Sequence, residues 1–389
     1  MNYMNILKAF IKVTAFGKSI KTIKREDQKG LLYHMDYYAN YYRLLPLMEK
    51  MIKTGCSTFV HKNELGEPIM GRNFDLRHFW TNPETGKTEM TGLAVVVNIK
   101  SKCAKYKSVG IADAVYMDPT HPTFFAGCLD DGKTDLIRTI ALPFLCMDGV
   151  NEKGLAVSVM HLSTENRWDE IEYRPYDELS DDEKSRMLVL DKPGEVPDPK
   201  NARTKTGALA MNSYDKKAWK VYKNFGTHQR KPNCKNVLHT VLMRMMLDSC
   251  ADVKEAIALA DSINLISTLD ADNHILVADV KGNSAMLEWI NNELVVTYVD
   301  HGTNFYSGRE DHYGYGFERD DIMTSAQKKY SDGMKEEEAM ETLRKASQNF
   351  EEDRDYGFTQ WSAVYNLPKG TLKLAVHMDY EHIYKYSIN

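Results

Sequence analysis

The chain has 389 residues, 43% of them hydrophobic and 27% charged, with 50 Lys plus Arg against 55 Asp plus Glu and a formal net charge of −5. That length allows a large core, either as two to three domains or as one large layered domain. So mild a charge gives no electrostatic case for a nucleic-acid partner, and no run approaches the ~20 apolar residues of a membrane span.

The first stretch, MNYMNILKAFIKVTAFGKSIKTIKRED, is basic and weakly amphipathic. Lys8 and Lys12 interrupt its apolar residues, so no signal-peptide core forms and no small-residue cleavage site follows. It reads as a solvated helix packed on the domain, with transient contact to a membrane surface as the alternative, and the protein as cytoplasmic. Residues 1–55 as a whole are expected to be helical. Leu31, Met35, Tyr38, Tyr42 and Leu45 recur at a spacing near 3.6 until Pro46 bends or restarts the helix.

At Gly55 the texture changes to strand. Ser57–Val60 and Pro68–Gly71 flank the turn Asn63-Glu64-Leu65-Gly66-Glu67 and predict a hairpin, and Leu93–Asn98 predicts another strand. A second hairpin is expected around Asn151-Glu152-Lys153-Gly154, whose residues tolerate positive φ. The polar, proline-bearing stretch 177–207 is long for a passive loop and reads as a flap, lid or mobile insertion.

Asn236–Cys250 predicts an apolar helix, and Asp252 with Glu255 three residues on predicts the capped start of another. A three-strand meander follows, turning at Lys281-Gly282-Asn283 and Asn291-Asn292, then charged helices over 319–331 and 335–349 and a final strand pair within 359–378. Hairpins grouped apart from helices suggest an α+β fold, a four-layer αββα sandwich of two antiparallel sheets with helices outside both, although a different α+β arrangement fits the same string almost as well. It would occupy 56–389, behind a helical pro-segment or light chain at 1–55.

The cysteines stand at 56, 103, 128, 146, 234 and 250, with no CxxC and no nearby His at zinc-ligand spacing. Free thiols are expected, and no metal or cofactor. Only Cys56 has a distinctive setting, after a glycine and at the head of a hairpin that ends in Gly71-Arg72-Asn73-Phe74-Asp75. A cysteine that attacks amides needs a base and donors for the oxyanion. One available base is the nucleophile's own α-amine, with a pKa of about 7.7–8.0. That amine is free only once the Gly55–Cys56 bond is cut, and glycine before the cut leaves the thiol unobstructed.

In GCSTFVHKNELGEPIMGRNFD the sequence resembles the choloylglycine hydrolase and penicillin V acylase family of N-terminal-nucleophile hydrolases, which cut linear amide C–N bonds. The acid-ceramidase-like and isopenicillin acyltransferase-like branches are similar too. The family has a nucleophilic Cys with an Arg sixteen and an Asp nineteen residues further on, and both spacings hold here. GVNEKGLAVS, ILVADVKGNSAMLEW, GTNFY, GFERDD and TQWSAVYNL extend the resemblance over nearly all of 54–370. It implies Cys56 as nucleophile with its freed amine as acid and base, Arg72 beside the sulfur, Asp75 orienting the amine, Asn304 as oxyanion donor and Arg319 as electrostatic support. His161 stands where bile-salt hydrolases carry an asparagine, as an oxyanion or substrate contact, and this departure puts bile-salt specificity in doubt.

Plainer readings exist for each residue. Cys56 can be a buried thiol, Arg72 and Asp75 a hairpin ion pair, Asn304 a turn residue, Arg319 a helix cap and His161 a core histidine. The resemblance favours an autoprocessed amidase acting on a small-molecule amide of a hydrophobic acyl group through an acyl-thioester on Cys56. The alternatives are an acyltransferase passing the acyl group to an amine, and a non-catalytic ligand-binding homologue. A homo-oligomer is left open.

Overall fold

The computed structural model describes residues 14–42, 55–76, 79–81, 88–90, 92–117, 134–162, 171–174, 219–222, 234–266, 272–290, 293–349 and 358–388. In chain order, α1 (Thr14–Ile20) precedes β1 (Lys24–Arg25) and β2 (Leu32–Tyr37). Next come β3 (Gly55–Lys62), β4 (Pro68–Asp75), β5 (Ala94–Ile99), β6 (Ser108–Asp113), β7 (Cys146–Asn151) and β8 (Ala156–Leu162). Helices α2 (His239–Ser249) and α3 (Val253–Asp261) lead into β9 (Asp272–Ala278), β10 (Ser284–Ile290) and β11 (Glu293–Thr297). Short strands β12 (His301–Gly302), β13 (Asn304–Phe305) and β14 (Gly314–Tyr315) are followed by α4 (Phe317–Lys329) and α5 (Glu336–Lys345). β15 (Thr359–Asn366), β16 (Thr371–Val376) and β17 (Tyr384–Ser387) come last.

Two large sheets result, a nine-stranded one in the order β1-β2-β5-β6-β7-β8-β9-β10-β11 and a six-stranded one in the order β12-β3-β4-β15-β16-β17, while β13 and β14 pair only with each other. Alternation along each strand decides what meets what. In β3, Cys56 and Val60 join the core between the sheets, and the Thr58 hydroxyl lies 2.7 Å from the Ser158 hydroxyl of β8. Phe59 points the other way and packs with Met323, Met340 and Leu343 of α4 and α5. Helices α2 and α3 pack on the nine-stranded sheet. The fold is α+β with four layers, helices outside two stacked sheets.

Local signals hold where they are local. The Asn151 side chain accepts from the backbone N–H of Lys153 and Leu155, and Gly154 sits at φ +74°, closing the β7–β8 turn. Asp252 accepts from the Glu255 N–H at 3.0 Å and caps α3. The meander is β9–β11 and the final pair β15–β16.

Three expectations are corrected. Residues 1–55 are not a helical unit, because Leu32–Tyr37, after α1, is a strand. Tyr33, Met35, Tyr37, Ala39 and Tyr41 are buried while the residues between them are half-buried or exposed, a period of two that outranks the 3.6-residue pattern. Aromatic residues suit a pleated surface, and the Val-rich β5 offers a partner ladder. That ladder is parallel, so the larger sheet is mixed rather than antiparallel throughout. Asn236–Leu238 is a strand parallel to Asn264–Ile266, and α2 starts only at His239. The 177–207 stretch lies outside the described residues. Among the described helices none is long and apolar enough to cross a membrane.

Candidate active site

The β3–β4 hairpin gives the sixteen-residue spacing its meaning. Cys56 lies opposite Phe74 and Thr58 opposite Arg72, so Cys56 and Arg72 are diagonal neighbours on one face, within reach of a long guanidinium. Arg72 Nη2 donates to Cys56 Sγ and, at 2.6 Å, to the Val159 carbonyl. Its Nη1 donates to the Asn73 carbonyl at 3.0 Å, and its Nε lies 3.5 Å from Asp148 Oδ2 across the sheet interface. Trp361 Nε1 and the Tyr365 hydroxyl donate to that same carboxylate.

A second arginine covers the backbone of Cys56. Arg319 Nη1 donates to the Cys56 carbonyl at 2.9 Å and lies 3.4 Å from Asp75 Oδ2, while Nη2 donates to Asn304 Oδ1 at 2.8 Å. Gly316, at φ +92° before α4, makes room for it. A Cβ there would stand 2.3 Å from Arg319 Nη2. Asn304 Oδ1 also accepts the Cys56 backbone N–H at 3.4 Å, and Asn304 Nδ2 donates to the His161 carbonyl at 2.7 Å. Asp75 accepts from the Thr359 hydroxyl at 2.6 Å and from Gln348 Nε2 at 3.3 Å. The His161 ring is half-buried, with Nδ1 3.4 Å from the Tyr315 hydroxyl.

Two buried arginines thus face two buried aspartates, which is what charges withdrawn from water require. Burial pushes the Asp75 carboxyl above its ordinary value, and Arg319 is the foremost group pulling it back. Burial also pushes the Cys56 thiol up to about 12, against the pull of Arg72. Cys56 is therefore a neutral thiol, its Sγ 3.3 Å from the Val159 carbonyl it donates to.

Cys56, Arg72, Asp75, Asn304 and Arg319 come together in one cluster. His161 adds its backbone carbonyl, and Gly55 precedes Cys56 within β3. The plain ion pair between Arg72 and Asp75 is not what forms, since Arg72 is bridged to Asp148 and Asp75 to Arg319. Asp148, Trp361, Tyr365, Thr359 and Gln348 were not anticipated. The one sequence signal for Asp148 is an acid set among the apolar residues of a predicted strand. Cys103, Cys146, Cys234 and Cys250 are free thiols outside the cluster, and Cys128 is not among the described residues.

No protein-family model matches the chain, and no curated protein does. Solved structures do. A mutant conjugated bile acid hydrolase from Clostridium perfringens is 14% identical and aligns over 86% of this chain and 92% of that one, with a TM-score of 0.45. Another variant of that hydrolase gives 13% identity, 86% and 93% coverage and 0.47. A penicillin V acylase from Agrobacterium tumefaciens gives 13%, 82% and 83%, and 0.43. The chain resembles these proteins in fold. At such identity the likeness is one of fold alone, and what the cluster can do follows from its own contacts.

Proposed function

We propose that this chain is a cysteine hydrolase of the N-terminal-nucleophile type. It would cut its own Gly55–Cys56 bond and then a linear amide between a hydrophobic acyl group and an amine or amino acid. The observation that carries this reading is that the sulfur, nitrogen and carbonyl oxygen of Cys56 each have a dedicated partner, in Arg72, Asn304 and Arg319. Backbone N–H and C=O groups need partners at any buried residue, but a structural thiol does not call for a buried guanidinium on its sulfur.

In maturation the Cys56 sulfur attacks the Gly55 carbonyl carbon, the C–N bond breaks, and the thiol proton passes to the departing Cys56 nitrogen. Water then hydrolyses the thioester, leaving a carboxylate on Gly55 and a free thiol and amine on Cys56. That amine has an ordinary pKa of about 7.7–8.0, which suits a proton carrier near neutral pH.

With substrate bound, Cys56 Sγ attacks the acyl carbon and its proton moves to the α-amine. Arg72, held by Asp148, stabilises the sulfur's developing charge. The oxyanion takes N–H donors, of which Asn304 Nδ2 is the side-chain candidate, and losing one such donor typically costs about 3–4 kcal/mol. The α-ammonium protonates the leaving nitrogen and an acyl-thioester remains. Water, giving its proton to the amine, releases the acid.

Intact mass under denaturing conditions tests the first half. Active protein should give two fragments meeting at Gly55/Cys56, and Cys56→Ala a single chain. Cys56→Ala hydrolysing acyl amides as fast as the parent would refute the second half. Formation of a new amide, rather than free acid, on adding acceptor amines would reassign the chemistry to acyl transfer.

A further inference from the structure

The segment that carries Asn304 is gripped by two buried side chains that no step above employs. His274 of β9 and Glu288 of β10 are both fully buried. His274 Nδ1 lies 2.9 Å from Glu288 Oε1, and Nε2 lies 2.8 Å from the carbonyl oxygen of Thr303. A carbonyl only accepts, so Nε2 carries a hydrogen. The Glu288 oxygens also accept the backbone N–H of Ser307 at 2.8 Å and of Gly308 at 2.7 Å. With amide donors on both oxygens, the group is well suited to be the carboxylate that accepts from Nδ1 as well.

The pair therefore holds the chain on both sides of Asn304, at the carbonyl just before it and at the amides three and four residues after it. The ladder at this point is weak, since β13 and β14 have two residues each. Asn304 must nevertheless meet Cys56, Arg319 and the His161 carbonyl at once. A buried polar pair is a poor device for stability alone, because the cost of desolvating it offsets most of the attraction. It does fix direction, as each hydrogen bond admits little displacement.

We propose that His274 and Glu288 are positioning residues that act through Asn304 to set its amide against the reacting centre. This rests on the amidase reading above. Misplacement of a catalytic group by about 1 Å can lower turnover on the order of 100-fold. Loss of either residue should therefore lower kcat by about that factor with KM near the parent's.

The test is a double-mutant cycle on the full chain, with decanoyl 4-nitroanilide as the probe amide. His274→Gln and Glu288→Gln are each combined with Asn304→Ala, and soluble, folded protein is confirmed by its melting transition. If the pair works through Asn304, each double variant is no slower than Asn304→Ala alone. Multiplying losses, or a folded single variant with parental kcat, overturn the inference. Glu288→Gln keeps the side-chain volume and one acceptor, so it carries the test should His274→Gln not fold. A parent that shows no Cys56-dependent turnover would overturn the amidase reading itself, whereas turnover with multiplying losses sinks this inference alone.

Discussion

Asp148 and Arg72 join the two sheets through one buried contact, Nε to Oδ2 at 3.5 Å, with neither side chain exposed. The same guanidinium reaches Cys56 Sγ at its other end. The stacking of the sheets thus sets where the charge beside the sulfur lies. Replacing Asp148 by Asn keeps the shape and strips the charge, leaving Arg72 buried without its counter-ion. The expected cost is about 3–5 kcal/mol, read from the urea midpoint, together with slower turnover. A midpoint unchanged from the parent would mean that the pair carries no net charge interaction.

If the chain cuts itself at Gly55–Cys56 as proposed, the raised thiol predicts a difference between uncut and cut molecules. With its thiol pushed up to about 12, Cys56 in the uncut chain has almost no thiolate at pH 7.5 and is wholly buried. Native protein treated briefly with iodoacetamide should carry no adduct on Cys56 in the uncut fraction. Fragment masses should show one in the cut fraction, where the neighbouring amine can take the proton. Equal labelling of both would contradict the assignment.

His301 gives the structure a pH dependence of its own. A hydrogen bond to Asp300 at 2.7 Å and the carboxylate of Asp320, 3.4 Å away and adjacent in sequence to Arg319, raise its pKa from 6.5 to about 9. A value raised on folding stabilises fully below the unfolded value, near 6.5, and the contribution fades as pH climbs through about 9. Across that window the parent should lose on the order of 1–2 kcal/mol, allowing for solvent screening around the exposed Asp300. His301→Gln should flatten the profile, as urea unfolding at pH 6, 7.5 and 9.5 would reveal.

The strand β2 bears on whether residues 1–55 can be dispensed with. It lies between β1 and β5, and Tyr33, Met35, Tyr37 and Tyr41 are buried with it. Tyr37 donates to the Ile140 carbonyl at 2.9 Å, and Tyr41 and Tyr42 donate to Asp248 at 2.6 and 2.7 Å. Each large apolar side chain so buried contributes roughly 1.5–3 kcal/mol. A chain started at Cys56 should therefore aggregate through the bared edge of β5, and residues 1–55 supplied in trans should restore soluble protein on size exclusion. A monomeric, folded 56–389 would make the segment a detachable pro-piece.

Several features were legible because they are encoded within a few residues. The Asn151–Gly154 turn, the Asp252 cap, the meander and the sixteen-residue step from Cys56 to Arg72 all depend on local backbone preference or on hairpin register. β2 was misread because its aromatic residues satisfy a helical count at some positions and a strand count at others. The half-buried pattern that separates the two appears only once β5 lies alongside.

By itself the sequence determined several hairpins and their turns, and a cysteine and an arginine sixteen residues apart on the two arms of one of them. Only the tertiary structure decided which buried charges belong together. It brought Arg319 to the Cys56 carbonyl, Asp148 to Arg72, and His274 with Glu288 to the flanks of Asn304. The reason is physical. Backbone conformation and side-chain alternation are settled over a few neighbouring residues, whereas the partner of a buried charge is whatever the opposite layer presents once two sheets have excluded water between them.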